Sequence, residues 1–479
     1  MRIAQRLCVL PAFALAAGWC LSAVAADPPA EQPAGPAKVS FSRSVRPIFQ
    51  EHCQGCHQPA KPLGGLSMTS FADIAKGGET AEPGFHPGKP DESQLVLQIT
   101  SQNGAPPAMP KDRPALTAAQ VELIRQWITE GAEDDTPMSD RIEVDMQHPP
   151  EYTAAPVISS MAWSPDGSIL AVTGYHEVVL HSADGSTILG RLVGLSERIE
   201  SVAFSPDGKL LAVTGGSPAR FGEVQIWDVA EKNLRLSLAV TFDNIYRAAW
   251  SPDGTKLAFG CADNTLRAID VASGQQVLYQ GAHSDWVLDT VFSVDASHLI
   301  SVSRDRSMKL TEFATQRFVD NITSITPGAL KGGLLTVARH PTKDDLLIGG
   351  ADGIPKLYKT YRTEDRKIGD DANKLREYAP LAGRIFSAEF NADGSRIVVG
   401  GSNDGTGEVR VYNTDDATMI CKAEGQPGPV YAVAFSPDGK QFASGGFDGL
   451  VRMYDAETGK LLKEFSATPL TQVAAAIAP

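Results

Sequence analysis

Between Glu151 and Pro479 one short phrase comes back seven times, and this repetition limits the fold more than any other property of the chain. It reads Ser164-Pro-Asp-Gly, Ser205-Pro-Asp-Gly, Ser251-Pro-Asp-Gly, Ser293-Val-Asp-Ala, His340-Pro-Thr-Lys, Asn391-Ala-Asp-Gly and Ser436-Pro-Asp-Gly. A period of roughly 40 to 50 residues marks an array of like units that bury a core only against one another. An alternating apolar segment such as Val202-Ala-Phe204 or Val433-Ala-Phe435 precedes each phrase. A second apolar strand follows, then a third that ends in pairs such as Trp227-Asp228, Ile269-Asp270 and Tyr454-Asp455. Asp-Gly turns between short alternating runs predict antiparallel hairpins, and four strands per unit predict the blades of a β-propeller.

The region before the repeats has a different character. Cys53-Gln54-Gly55-Cys56-His57 is C-x-x-C-H, the attachment sequence of a c-type haem: two thiols add to the vinyl groups and the adjacent histidine binds the iron. On a helix, residues three apart face one side, so both sulfurs would meet one haem edge. A thioredoxin-like motif would need a βαβ context, and a zinc site two more nearby ligands; neither is present. Val45, Ile48, Phe49, His52, Cys53 and Cys56 follow the spacing of one helical face, with Pro47 near its start. A second helix is predicted from the capping box Thr117-Ala-Ala-Gln120, with Val121, Ile124, Trp127 and Ile128 as its apolar stripe and Gly131 as its stop. A soft thioether on a loop before the last helix is the usual sixth haem ligand, and Met109 stands there; Met68 and His86 are the alternatives.

The stretch from Phe41 to Ala132 is similar to the planctomycete-type cytochrome c domain. The matching motifs are Val45-Arg46-Pro47-Ile48-Phe49, the C-x-x-C-H, Gly64-Gly65-Leu66, Pro87-Gly88-Lys89-Pro90-Asp91-Glu92-Ser93, Met109-Pro110 and Trp127-Ile128-Thr129-Glu130-Gly131-Ala132. The resemblance implies one covalent haem c held by Cys53 and Cys56, with His57 and Met109 on the iron. From Glu151 onward the chain resembles a WD40 propeller. In that family a pair such as His283 and Asp305 in blade four is a structural hydrogen-bond network between strands, not a catalytic one.

The expected fold is therefore multidomain, a small all-α cytochrome c-like domain followed by an all-β seven-bladed WD40-type propeller. Residues 1–25 read as a signal peptide: Arg2 and Arg6 precede the apolar run Leu7–Val24, and Ala23-Val24-Ala25 is a small-x-small cleavage pattern. An uncleaved anchor is the alternative. A Pro/Ala-rich linker (26–38), the haem domain (39–132), an acidic linker read as a solvated tether (133–150) and the propeller (151–479) complete the expected order. Of six cysteines, Cys8 and Cys20 lie in the signal region, and Cys261 and Cys421 fall in different blades and are expected as buried free thiols.

A net charge of −14 gives no general attraction for nucleic acid or an anionic membrane. The propeller contains no P-loop, nucleophile elbow or zinc spacing, and His176 and His181, five apart, would face opposite sides of a regular strand. Two enlarged loops, at Gly215–Val224 and Gly400–Val409, and a charged insertion, Thr360–Pro380, look like docking equipment; within the insertion, Asp371–Tyr378 is expected as a helical turn. Together these features imply an exported, periplasmic mono-haem electron carrier. Its partner would be a redox protein, and the propeller would supply protein contacts. The alternatives are a redox enzyme with a second cofactor in the propeller, and a haem-based sensor with an open sixth position.

Overall fold

The computed structural model describes residues 38–58, 61–80, 82–111, 113–137, 144–326, 330–367, 369 and 371–471. The expected signal peptide, nearly all of the Pro/Ala linker, and Cys8 and Cys20 lie outside these residues.

The N-terminal domain opens with one π-helical turn, Phe41–Val45, in which the Ser40 hydroxyl caps the Arg43 N–H. It runs into α1 (Arg46–His52), with Pro47 in the first turn, where its missing N–H costs nothing. Two short strands follow, β1 (His57–Gln58) and β2 (Lys61–Pro62), then α2 (Phe71–Lys76), α3 (Gln94–Ile99) and α4 (Ala118–Thr129). The capping box at Thr117 and Gln120 forms, with Thr117 N–H donating to Gln120 Oε1 at 2.9 Å. One core joins these elements: Phe41, Val45, Ile48, Phe49, Ile74, Ile124, Trp127 and Ile128 are all buried in it. Phe41 stacks on Trp127 at 5.2 Å, with Phe71 and Phe85 edge-on around them.

The second part is a ring of seven four-stranded antiparallel sheets. Blade one is built from β3 (Met161–Trp163), β4 (Ile169–Thr173), β5 (Tyr175–Ser182) and the first half of a long strand, β6 (Ile188–Phe204). The second half of β6 is the inner strand of blade two, which continues with β7 (Leu210–Ser217), β8 (Phe221–Asp228) and β9 (Asn233–Thr241). Blade three starts with β10 (Ile245–Trp250), and blades four to seven repeat the meander within 287–321, 334–377, 384–422 and 430–466.

The middle strands are buried on both faces, so they read as unbroken apolar runs whose alternate residues serve different neighbours. In blade five Leu346 and Ile348 pack against blade four, while Leu347 between them packs against blade six. Seven such apolar layers, one per pair of adjacent blades, hold the ring together.

The repeated phrase is the turn between the first two strands of each blade. Ser164 Oγ donates to Asp166 Oδ1 at 2.6 Å and accepts from Ile169 N–H at 2.9 Å, while Gly167 takes φ +72°. The same bonds recur at Ser205, Ser251 and Ser436, so the motif is a self-capped turn in which a small residue must occupy the left-handed position.

Every blade takes its four strands from consecutive chain. Closure rests on the apolar layer between blades seven and one, on Ile158 N–H to Gly446 O at 2.9 Å, and on a single parallel bridge between Tyr152 and Leu470.

Several sequence expectations differ from what forms. The enlarged loops of blades two and six are extended hairpins: Gly215 and Gly400 lie inside eight-residue strands, and only Pro218–Arg220 and Asp404–Gly405 are turn. The expected helical turn in the blade-five insertion is instead an outer strand, Lys374–Glu377, because the blade needs a fourth strand there. The rest of the insertion is pinned to blade four, with Arg366 donating to Asp320 Oδ1 and to Asn321 O at 2.6 Å each. The acidic stretch is fastened at both ends. Asp135 Oδ1 accepts from Ser42 N–H at 2.7 Å on the side of the N-terminal domain, and Pro150 O accepts from Arg191 at 2.6 Å on the propeller side.

Candidate functional site

α1 stops at His52, and the two cysteines sit on the turns that follow it. Cys53 N–H and Gln54 N–H both donate to Phe49 O at 2.9 Å; Cys56 N–H and His57 N–H then donate to Cys53 O at 3.0 Å. The three-residue spacing is thus realised on a tightened helical end, not on a continuous helix, with Gly55 a weak helix former at the break. The thiols of Cys53 and Cys56 are free. Burial pushes the Cys53 thiol up to about 12, and the neighbouring Cys56 adds to the effect, so it is protonated at neutral pH.

His57 follows on β1, paired with Pro62. Its Nδ1–H donates to Leu63 O at 2.9 Å, which fixes the ring and leaves Nε2 as the nitrogen with a lone pair. Burial holds its pKa below the ordinary histidine value, against the pull of the Leu63 and Leu66 carbonyls, so the ring is neutral as a metal ligand must be. The loop is braced from below: Gln54 Nε2 donates to Met68 O at 2.8 Å, and Met68 N–H donates to His57 O at 2.8 Å.

The two methionines sit differently. Met68 is buried within the core, whereas Met109 is half-buried at its margin and is tied by its N–H to Gln98 O at 2.9 Å. Cys53 and Met109 both pack on that one core. His86 is half-buried on the loop before α3, with its N–H donating to Ser93 Oγ at 2.9 Å. This donor set, two free thiols beside a neutral imidazole with one nitrogen engaged by a carbonyl, fits a thioether-bound haem.

In the propeller, His283 Nδ1 bonds Asp305 Oδ2 and Nε2 bonds Ser301 Oγ, both at 2.8 Å, which is the expected inter-strand network. His181 donates from Nε2 to Ala467 O at 2.9 Å across the ring seam. His176 takes φ +63° and interrupts the alternation of β5. No group of three His, Cys, Asp or Glu among the described residues is placed to hold a metal ion. Cys261 and Cys421 are buried free thiols in blades three and six.

Sequence reasoning missed the propeller's polar centre. Arg247, on the inner strand β10, reaches across the ring axis to Thr336 Oγ1 at 3.1 Å, Phe386 O at 2.9 Å and Tyr431 O at 3.3 Å. Its guanidinium also lies 3.6 Å from the Asp289 carboxylate. One arginine thus ties blade three to blades four, five, six and seven. Nothing in the local sequence Tyr246-Arg247-Ala248 marks it, because its partners are all distant in the chain.

The fold and the cysteine loop define the class: a cytochrome c-like domain joined to a seven-bladed propeller. Comparison with known families places both halves. Residues 53–113 match the family described as planctomycete cytochrome C, and residues 186–228, 237–270, 274–311 and 418–455 match the WD domain, G-beta repeat. The chain is a fusion of these two families.

Among similar curated proteins, periodic tryptophan protein 2 of Arabidopsis thaliana is 25% identical over 51% of this chain and 25% of its own length. Eukaryotic translation initiation factor 3 subunit I of Candida glabrata is 25% identical over 44% of this chain and 48% of its own length. Serine-threonine kinase receptor-associated protein of Gallus gallus is 23% identical over 45% of this chain and 68% of its own. The chain therefore spans a quarter to about half of the first two.

Proposed function

We propose that this protein is an exported mono-haem c-type cytochrome that passes single electrons, with its propeller as the platform for protein partners. The observation that carries the reading is the cysteine turn: two free thiols followed directly by an imidazole whose Nδ1 is held by Leu63 O. Haem c supplies a one-electron iron couple when bound. Cys53 and Cys56 would tether it, and His57, through Nε2, and Met109, half-buried at the margin of the core, would ligate its iron. The Leu63 carbonyl orients His57 and raises its basicity as a ligand. WD40 repeats commonly mediate protein–protein contacts, which supports the platform role. Export is supported by the N-terminal charge and apolar pattern. Haem attachment of this type takes place outside the cytoplasm, and no helix among the described residues is long and apolar enough to cross a membrane.

The test is a pyridine haemochrome assay with oxidised and reduced spectra on protein made in a strain that matures c-type cytochromes. One covalent haem with a methionine-to-iron charge-transfer band is expected. Met109→Ala should lose that band and bind carbon monoxide in the ferrous state. Absence of haem refutes the reading, carbon monoxide binding by the unsubstituted protein points to a sensor, and a second chromophore points to an enzyme.

A further inference from the structure

The cysteine turn touches more than its own domain. α1 and β2 pack against β9, the outermost strand of blade two. An outermost strand presents a row of carbonyl and amide groups with no strand to pair with, and carbonyls two residues apart point the same way. Two of these are met by the haem domain. Lys61 Nζ donates to Arg235 O at 2.7 Å, and the Gly55 backbone lies directly on Ser237 O. A Cβ at position 55 would stand far inside van der Waals contact with that oxygen.

Ser237 O has little room to retreat. Its residue is paired with Gln225 in the sheet, and its hydroxyl donates to the buried carboxylate of Glu223, which also accepts from Ser196 Oγ at 2.6 Å and Gln225 Nε2 at 2.7 Å. Nor does the backbone conformation at Gly55 demand glycine: it is absent from the left-handed positions that favour that residue. Haem attachment does not require it, since the chemistry of C-x-x-C-H uses only the cysteines and the histidine.

We propose that the haem-attachment turn is itself the surface by which the cytochrome domain is gripped by blade two, and that Gly55 is the residue this grip requires. In the carrier reading, on which the functional meaning rests, the haem then rides at a fixed place on the propeller, and a partner held by the propeller meets it at a set distance. The fastening of Glu133 and Asp135 to the haem domain and of Met146 and Pro150 to blade one acts in the same direction.

The test uses the full-length chain. Hydrogen exchange over 233–241 reports whether the β9 edge is covered, and small-angle scattering reports whether the two domains stay together. Gly55→Val is expected to keep full haem content, to exchange about tenfold faster over 233–241 than the parent, and to enlarge the radius of gyration. Lys61→Gln, which removes one contact, should do the same to a smaller degree. Gly55→Val with haem intact and with exchange and size equal to the parent's overturns the proposal. Parent protein without haem, yet with protection that Gly55→Val abolishes, overturns the carrier reading and leaves the grip standing.

Discussion

Replacing Arg247 by leucine tests whether the polar centre of the ring holds it together. The guanidinium makes hydrogen bonds to Thr336, Phe386 O and Tyr431 O and lies 3.6 Å from Asp289, whose side chain is 8% exposed. In the variant the Asp289 carboxylate keeps donors from Val337 N–H, Thr336 Oγ1 and Thr290 N–H but has no counter-charge. The two carbonyls lose their donor as well. Removing one partner of such a buried pair costs about 4 kcal/mol. With an unfolding entropy of about 2.1 cal/mol/K per residue over roughly 320 residues, the melting temperature should fall by about 6 °C. Calorimetry of the parent, Arg247→Leu, Asp289→Asn and the double variant measures this directly. The double variant should be less destabilised than the sum of the singles, because the stranded charge is gone. A melting temperature for Arg247→Leu within 1 °C of the parent (roughly 0.7 kcal/mol on the same scale) refutes the reasoning.

The turn chemistry and the buried carboxylates give two further expectations. Ala296 takes φ +59° at the position where sister turns carry Gly167, Gly208, Gly254, Gly394 and Gly439, so Ala296→Gly should stabilise by about 0.5–1 kcal/mol in urea unfolding, net of the entropy glycine adds to the unfolded chain. Glu389 is pushed by burial up to about 8 from the usual 4.5, against the opposing pull of Phe435 N–H and Arg247. Below 4.5 both states are protonated; as pH rises toward 8 the unfolded chain releases a proton that the fold retains, so stability falls across that window and levels above it. Glu389→Gln should make the decline in urea midpoint between about pH 5 and 8 shallower, though not abolish it, since burial raises Glu200, Glu223 and Asp289 as well; equal slopes would count against the assignment.

What could be read from the chain was what is decided locally. The Ser-Pro-Asp-Gly turns close through bonds within six residues, as Ser164 to Ile169 shows, and the Thr117–Gln120 capping box spans one helical turn. The cysteine motif carries its chemistry in five residues. Ring-scale features left no such mark. Arg247 looks like any polar residue on an alternating strand until closure brings five blades around one axis. Asp371–Tyr378 had helical composition, but the open side of blade five took it as a strand, the tertiary need outweighing propensity. Gly55 fell inside a motif in which its position is unconstrained, so its role shows only where Ser237 O stands over it.

The contact between the halves also has a reason in the needs of each. A domain with a single small core around Phe41 and Trp127 buries a modest share of its surface and gains from any face it can cover. Blade two, for its part, has a long outer strand, nine residues in β9 against four or five in the outer strands of blades three to six. Such an edge invites pairing with another chain unless something occupies it. The haem domain occupies it without adding a strand, through one lysine on a carbonyl and one glycine pressed on another. Because β6 runs unbroken from blade one into blade two, the pair of blades that receives the haem domain is also joined by a continuous strand. The contact therefore falls where the ring's own backbone is most continuous, which is where the two domains are best held in a fixed relation.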